Sequence, residues 1–287
     1  MTNTDAVTRV VERVITPQQA IDGAGVRLLR SIAGASLDYL DPFLLFDQFS
    51  SDDPDEDIPG FPMHPHRGIE TVSYLVEGEI RHRDTLGNAG TIEPGDVQWM
   101  TAGRAIMHEE MLGHRAGRLL GFQLWVNLPA RDKMMAPRYQ DIRAEDVPTV
   151  VRDDGVRVRV IAGTVGDSIG PVTGIVAEPT YLDVAMPART TFVQAVARGH
   201  TAFAYLFEGI GHVGLDSSVP VMAPRLAIFG DGDRVAVTSG GSGARFLLIS
   251  GAPIGEPIVR YGPFVMNTWE EIQQTLRELR DGTFIKA

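Results

Sequence analysis

Tyr74-Leu75-Val76-Glu77-Gly78 returns 131 residues later as Tyr205-Leu206-Phe207-Glu208-Gly209. Each copy is an apolar run closed by Glu-Gly, the pattern of a buried strand running into a turn. An echo at that distance in a chain of 287 residues predicts two related domains. Around the first copy, 71–76 reads as a strand, 77–79 as a turn and 80–84 as the returning strand. Leu86-Gly87-Asn88 turns the chain again, and Glu93-Pro94-Gly95-Asp96 opens a strand over 97–100. Around the second copy, 219–229 and 235–237 read as strands. The 31 glycines and 18 prolines suit many short strands and tight turns, and a 44% hydrophobic content supplies core for two domains of this size. An all-β chain of two tandem barrels follows.

Histidine placement says which barrel can do chemistry. His64-Pro65-His66 is followed, 42 positions after His66, by His108-Glu109-Glu110. Side chains two apart on an extended strand leave the same face about 7 Å apart, so His64 and His66 can turn onto one ion. His108 and Glu110 repeat that spacing. Three imidazoles and a carboxylate suit one divalent transition metal and leave one or two positions of an octahedron open. The donor set admits several metals, Fe(II), Mn, Co, Ni, Cu or Zn, and does not select among them. Moving the four positions forward by 131 lands on Ala195, Ala197, Ser239 and Gly241, so the second barrel has none of these ligands. His82, His114, His200 and His212 lack such a pattern and read as surface or core residues.

The run from His64 through Arg67-Gly68-Ile69-Glu70-Thr71-Val72 resembles the signature of the pirin family of the cupin superfamily. So do Asp84-Thr85-Leu86-Gly87-Asn88, Pro94-Gly95-Asp96-Val97-Gln98-Trp99-Met100-Thr101-Ala102-Gly103-Arg104 and His108-x-Glu110. The likeness continues in Asp41-Pro42-Phe43-Leu44-Leu45-Phe46-Asp47 and in Gly262-Pro263-Phe264-Val265-Met266-Asn267-Thr268, so it spans most of the chain.

The resemblance implies two cupin barrels, each a double-stranded β-helix or jelly roll, with a short C-terminal helix. The expected division is 1–135 for the metal-binding domain and 136–287 for a domain without ligands. The family likeness further implies quercetin 2,3-dioxygenase activity: cleavage of a flavonol ring by O2 with release of CO. On that expectation His64, His66 and His108 are ligands, and Glu110 is both ligand and catalytic proton acceptor. Glu70 is expected to orient a ligand imidazole from behind, with Arg67 and Gln98 as further candidates. The family also implies an alternative, a metal- or redox-dependent regulator acting through protein partners as a transcriptional cofactor or enzyme regulator. A monomer is expected.

Composition closes other routes. With no cysteine in the chain, disulfides, thiolate ligands and cysteine nucleophiles are absent. A net charge of −11 without a basic stripe argues against direct nucleic-acid binding. No apolar run reaches about 18 residues, and 1–19 is polar, so a cytoplasmic chain without a membrane anchor is expected. Gly209-Ile210-Gly211-His212-Val213-Gly214 satisfies GxGxxG, but Leu215-Asp216-Ser217-Ser218-Val219-Pro220 cannot supply the helix a dinucleotide loop needs, so a hairpin is expected. Asp52-Asp53-Pro54-Asp55-Glu56-Asp57 reads as a solvated loop before the metal motif. Thr268 with Glu271 forms a capping box, and Ile272, Leu276 and Leu279 give the apolar stripe of a helix over about 269–281.

Overall fold

The computed structural model describes residues 6–53, 58–115, 117–215 and 218–285. Residues 54–57 of the acidic segment lie outside the described residues. Asp52, at its start, is exposed and pairs with Arg118 at 3.0 Å.

The chain is mostly β-strand, with one C-terminal helix, and divides into two compact units. One comprises Gln18–Ala144 and Ile254–Ala287. Its strands form two main antiparallel sheets. The larger runs in the order Arg138–Ile142, Val97–Thr101, Ile69–Glu77, Leu119–Asn127, Phe43–Ser51, Val26–Ile32, Gln18–Asp22. The smaller runs Phe61–His66, Ile106–Gly113, Glu79–Asp84, Ala89–Ile92. The central strands of the larger sheet are covered on both sides, which is why Phe43–Ser51 and Ile69–Glu77 are buried along most of their length. By contrast, Ile106–Gly113 alternates strictly, with Ile106, His108, Glu110 and Leu112 turned inward. Period two thus carries both candidate ligands of that strand to the interior.

The other unit comprises Met1–Pro17 and Glu145–Pro253. A nine-stranded sheet wraps a hydrophobic core that includes Val158, Leu182, Val184, Phe192, Phe246 and Leu248. Gly209 to Val213 lies within the long strand Thr201–Val213, which pairs back onto Val219–Met222, so the GxGxxG segment is a hairpin.

The contiguous division at 135/136 is corrected by this exchange of chain ends. Val11–Ile15 pairs antiparallel with Arg225–Phe229, which places the first residues with the second barrel. The final segment joins the first barrel. Phe264 bridges Arg67, and Phe264, Met266, Ile272 and Phe284 share a buried cluster with Ala105. The helix spans Trp269–Arg280, one residue short of the expected end, with both halves of the capping box formed by Thr268 and Glu271. Leu276 and Leu279 pack on the same cluster, so the predicted stripe is the face laid on the barrel.

Candidate metal centre

The strand Phe61–His66 pairs antiparallel with Ile106–Gly113 so that His108 stands opposite His64, and His66 opposite Ile106. Cross-strand neighbours lie about 5 Å apart, and the two-residue spacing keeps His66 on the face of His64. The consequence is a cluster in which one ring nitrogen from each of His64, His66 and His108 lies within 4.8 Å of the others. Ring centroids are 4.4 Å apart for His64 and His108, 4.8 Å for His64 and His66, and 5.1 Å for His66 and His108.

The chemistry of these nitrogens fits a bound cation. His64 Nδ1 donates to the Pro62 carbonyl at 2.9 Å, which leaves Nε2 as the lone-pair nitrogen on the cluster side. That Nε2 lies 3.0 Å from His66 Nε2. Two nitrogens each about 2.1 Å from one ion and about 90° apart would stand about 3.0 Å from each other. Both ring nitrogens of His108 are buried without a hydrogen-bond partner among the described residues, an arrangement that costs free energy unless something else engages them. Burial, followed by the neighbouring His64 and His82, lowers His108 to about 3. Burial and the adjacent His108 and His64 push His66 well below its ordinary value. The buried pair is therefore neutral near pH 7, the state in which imidazole coordinates metal. His64, His66 and His108 could together bind a metal ion.

Glu110 stands outside the nitrogen group but lines the same cavity, of about 430 Å³. The pairing register slips between His108 and Glu110, which re-aims the carboxylate. Its Oε1 accepts from the Ser73 hydroxyl at 2.8 Å, and Ser73 Oγ also lies 2.7 Å from Gln123 Oε1. One hydroxyl proton cannot serve both acceptors, so the Gln123 amide fits better turned over, its NH2 donating to Ser73. The Trp125 ring meets His66 edge-on at 5.1 Å between centroids. Leu28, Leu45, Phe49 and Phe61 complete the apolar wall.

The three residues expected behind the ligands go elsewhere. Glu70 faces away from Ser73 by strand parity and accepts from the Thr101 hydroxyl at 2.7 Å. Burial raises its carboxyl above the usual range, an effect that contacts with Thr101 and Trp99 only partly offset. Arg67 turns to the C-terminal helix: it donates to the Arg104 carbonyl, to Thr275 Oγ1 at 2.9 Å and to Glu278 Oε2 at 2.6 Å, with its guanidinium over the Phe284 ring. Gln98 donates to Asp141 at 2.8 Å and contacts the ring nitrogens of His82. None of the three hydrogen-bonds a histidine of the cluster. Ser73 contacts Glu110 and Gln123, and Trp125 contacts His66; period-two parity within 69–77 and 119–127 is the signal that would have put them on the inner face. His82 is buried beside Gln98 and Tyr139, a satisfied core histidine as expected.

A histidine cluster that could hold a metal, set in one of two β-barrels joined on one chain, defines a bicupin protein. The comparisons with known proteins narrow the class. The Pirin family profile matches residues 25–126, and the Pirin C-terminal cupin domain matches 181–285. The chain belongs to the pirin family. It is 41% identical to human pirin over 95% of this chain and 92% of that protein. It is 47% identical, over 96% of this chain and 97% of the relative, to a Pseudomonas aeruginosa protein whose name provisionally assigns it quercetin 2,3-dioxygenase activity. The crystal structure of a quercetin 2,3-dioxygenase from Acinetobacter baumannii superposes with a TM-score of 0.88 at 32% identity, covering 97% of this chain and 99% of that one.

Proposed function

We propose that this protein is a metal-dependent dioxygenase that opens the heterocyclic ring of a flavonol such as quercetin with O2 and releases CO. The observation that carries the reading is the cluster of three histidine nitrogens beside a cavity that His64, His66, Glu110 and a set of apolar side chains line. The similarity to proteins named for this activity supports it. His64, His66 and His108 would hold the ion, Fe(II) in the first instance, with Glu110 as a fourth donor. The ion would supply Lewis acidity toward the enolate of the substrate and redox access to O2.

The remaining work falls to the chain. Glu110 would take the proton of the flavonol 3-hydroxyl, the step that makes the ring electron-rich enough to react with O2. Ser73, itself fixed by Gln123, holds the Glu110 carboxylate in one orientation while it carries that proton. Trp125 packs on His66 and restricts rotation of its ring. Leu28, Leu45, Phe49 and Phe61 exclude water from the ring as it opens. The proton goes from hydroxyl to carboxylate, two ring carbon bonds break, both oxygen atoms enter the product ester, and one carbon leaves as CO.

Oxygen uptake with quercetin tests the reading on protein reconstituted with Fe(II), Mn(II), Co(II), Ni(II) or Cu(II). Uptake should match quercetin loss mole for mole and vanish without metal. Glu110→Gln should lower kcat by about 10²-fold or more, and His108→Ala should abolish turnover while the circular dichroism of the fold persists. Undiminished turnover in both variants would remove these residues from the mechanism.

A further inference from the structure

The cavity beside the histidines has a second polar end that ring cleavage leaves unused. Arg30, Arg260, Asp22 and Asp47 line it. Arg30 is paired with two carboxylates. Its Nε and Nη2 clasp Asp47 at 2.9 and 2.7 Å, and Nη2 also reaches Asp22 at 2.8 Å.

Arg260 differs. Its Nη1 donates to the Leu44 carbonyl at 3.2 Å and its Nε to the Gly262 carbonyl at 3.3 Å, both long contacts with neutral acceptors. Nη2 has no hydrogen-bond partner, and no carboxylate lies within ion-pair distance of the guanidinium, among the described residues. The half-buried cation works against desolvation first and the like charge of Arg30 second, with Asp38, Asp47 and Asp22 compensating from a distance. Such a cation gains from a hydrogen-bonded anion more than a solvated surface arginine would.

Its position relative to the metal centre is fixed by Trp125. The Arg260 guanidinium carbon lies 4.9 Å from the Trp125 ring centroid, and the His66 ring centroid lies 5.1 Å from the same point. The guanidinium is therefore no more than about 10 Å from the His66 ring, a span that one or two fused rings of a ligand can bridge.

We propose that Arg260 sets the selectivity of this cavity by receiving a carboxylate of the ligand, whose hydroxy-carbonyl end chelates at His64, His66 and His108. The substrate class is a planar aromatic hydroxyketone bearing a carboxylate remote from the chelating pair. This inference rests on the reading that the histidines hold a metal and a chelating substrate. Arginine suits the task because its planar fork matches a carboxylate and its charge persists at any working pH.

The test is binding, independent of turnover. Two probes, 3-hydroxyflavone and the same compound carrying a carboxylate on its phenyl ring, are titrated anaerobically into nickel-loaded wild type, Arg260→Gln and Arg260→Lys. Quenching of tryptophan fluorescence, to which Trp125 in the cavity wall contributes, reports the Kd values. The wild type should favour the carboxylate probe by about tenfold or more. Arg260→Gln should bring the ratio of the two affinities close to one, and Arg260→Lys, which keeps the charge but loses the fork, should restore part of it. The same ratio in wild type and Arg260→Gln overturns the assignment of Arg260 and leaves the dioxygenase reading standing. Failure of both probes to bind a wild type that holds its nickel overturns the metal-chelate reading and this inference together.

Discussion

Acidifying the metal-free protein should loosen the histidine unit, and His108 should account for a measurable share of the loss. Its pKa in the fold is about 3, against about 6.5 for a solvated imidazole. At pH 5.5 His108 stays unprotonated in the fold while the same residue in the unfolded chain takes up a proton. Stability falls as pH drops wherever the unfolded state binds more protons, so the window runs from about 6.5 down to about 3. Between pH 7.5 and 5.5 one such imidazole costs about 1.4 kcal/mol, the value of RT ln(1 + 10) for a group one unit above the lower pH. His66, shifted in the same direction by burial, adds an effect of the same sign. Asp47 and Glu70, both raised by burial, work in the opposite sense on acidification. The total slope therefore mixes several groups, and the informative quantity is the difference between wild type and His108→Asn. Trp99, Trp125 and Trp269, the three tryptophans of the chain, all belong to the unit that carries the histidines. Urea unfolding followed by tryptophan fluorescence in the presence of a chelator thus reads that unit alone. The wild type should lose about 1.4 kcal/mol more than His108→Asn between the two pH values. Equal losses would mean that His108 accepts a proton in the fold, and the picture of preformed neutral nitrogens would fail.

Glu70→Gln should leave nickel affinity within about twofold and should not lower the urea midpoint at pH 7.5, because the amide keeps an acceptor for Thr101 and removes a charge that burial disfavours. A loss of tenfold or more, the scale of a partner that orients a metal ligand, would return Glu70 to that role. Gly68→Ala should destabilise the same unit by about 2 kcal/mol or more, since Gly68 has φ +79° and an added Cβ would fall 2.0 Å from the Val265 carbonyl oxygen. In differential scanning calorimetry that corresponds to a Tm lower by about 4 °C or more, and an unchanged Tm would show that the C-terminal segment does not press on this turn.

The candidate site was legible where its residues are close in sequence and obey a strand's period of two. His64 and His66 could be paired from spacing alone, as could His108 and Glu110, because strand geometry leaves little choice of face; it is the pairing of the two strands that sets His108 opposite His64. The capping box and apolar stripe of the C-terminal helix were readable for a similar reason, since each depends on residues three or four apart. Arg67 shows where that reading stops. It sits beside His66, yet its guanidinium is claimed by Thr275 and Glu278, more than 200 residues away in the chain. Nothing local to Arg67 specifies that partner.

The sequence by itself determined an all-β pair of related barrels, the two histidine motifs, and that Ala195, Ala197, Ser239 and Gly241 stand where the second copy would repeat them, because alternation, turn residues and an internal repeat are local or periodic properties. Only the tertiary structure decided which barrel takes each end of the chain, that Ser73 and Gln123 hold Glu110, and that Arg260 reaches the cavity from residues 254–287. Those depend on long-range strand pairing and on competition among buried polar groups for partners, which no short window of sequence contains.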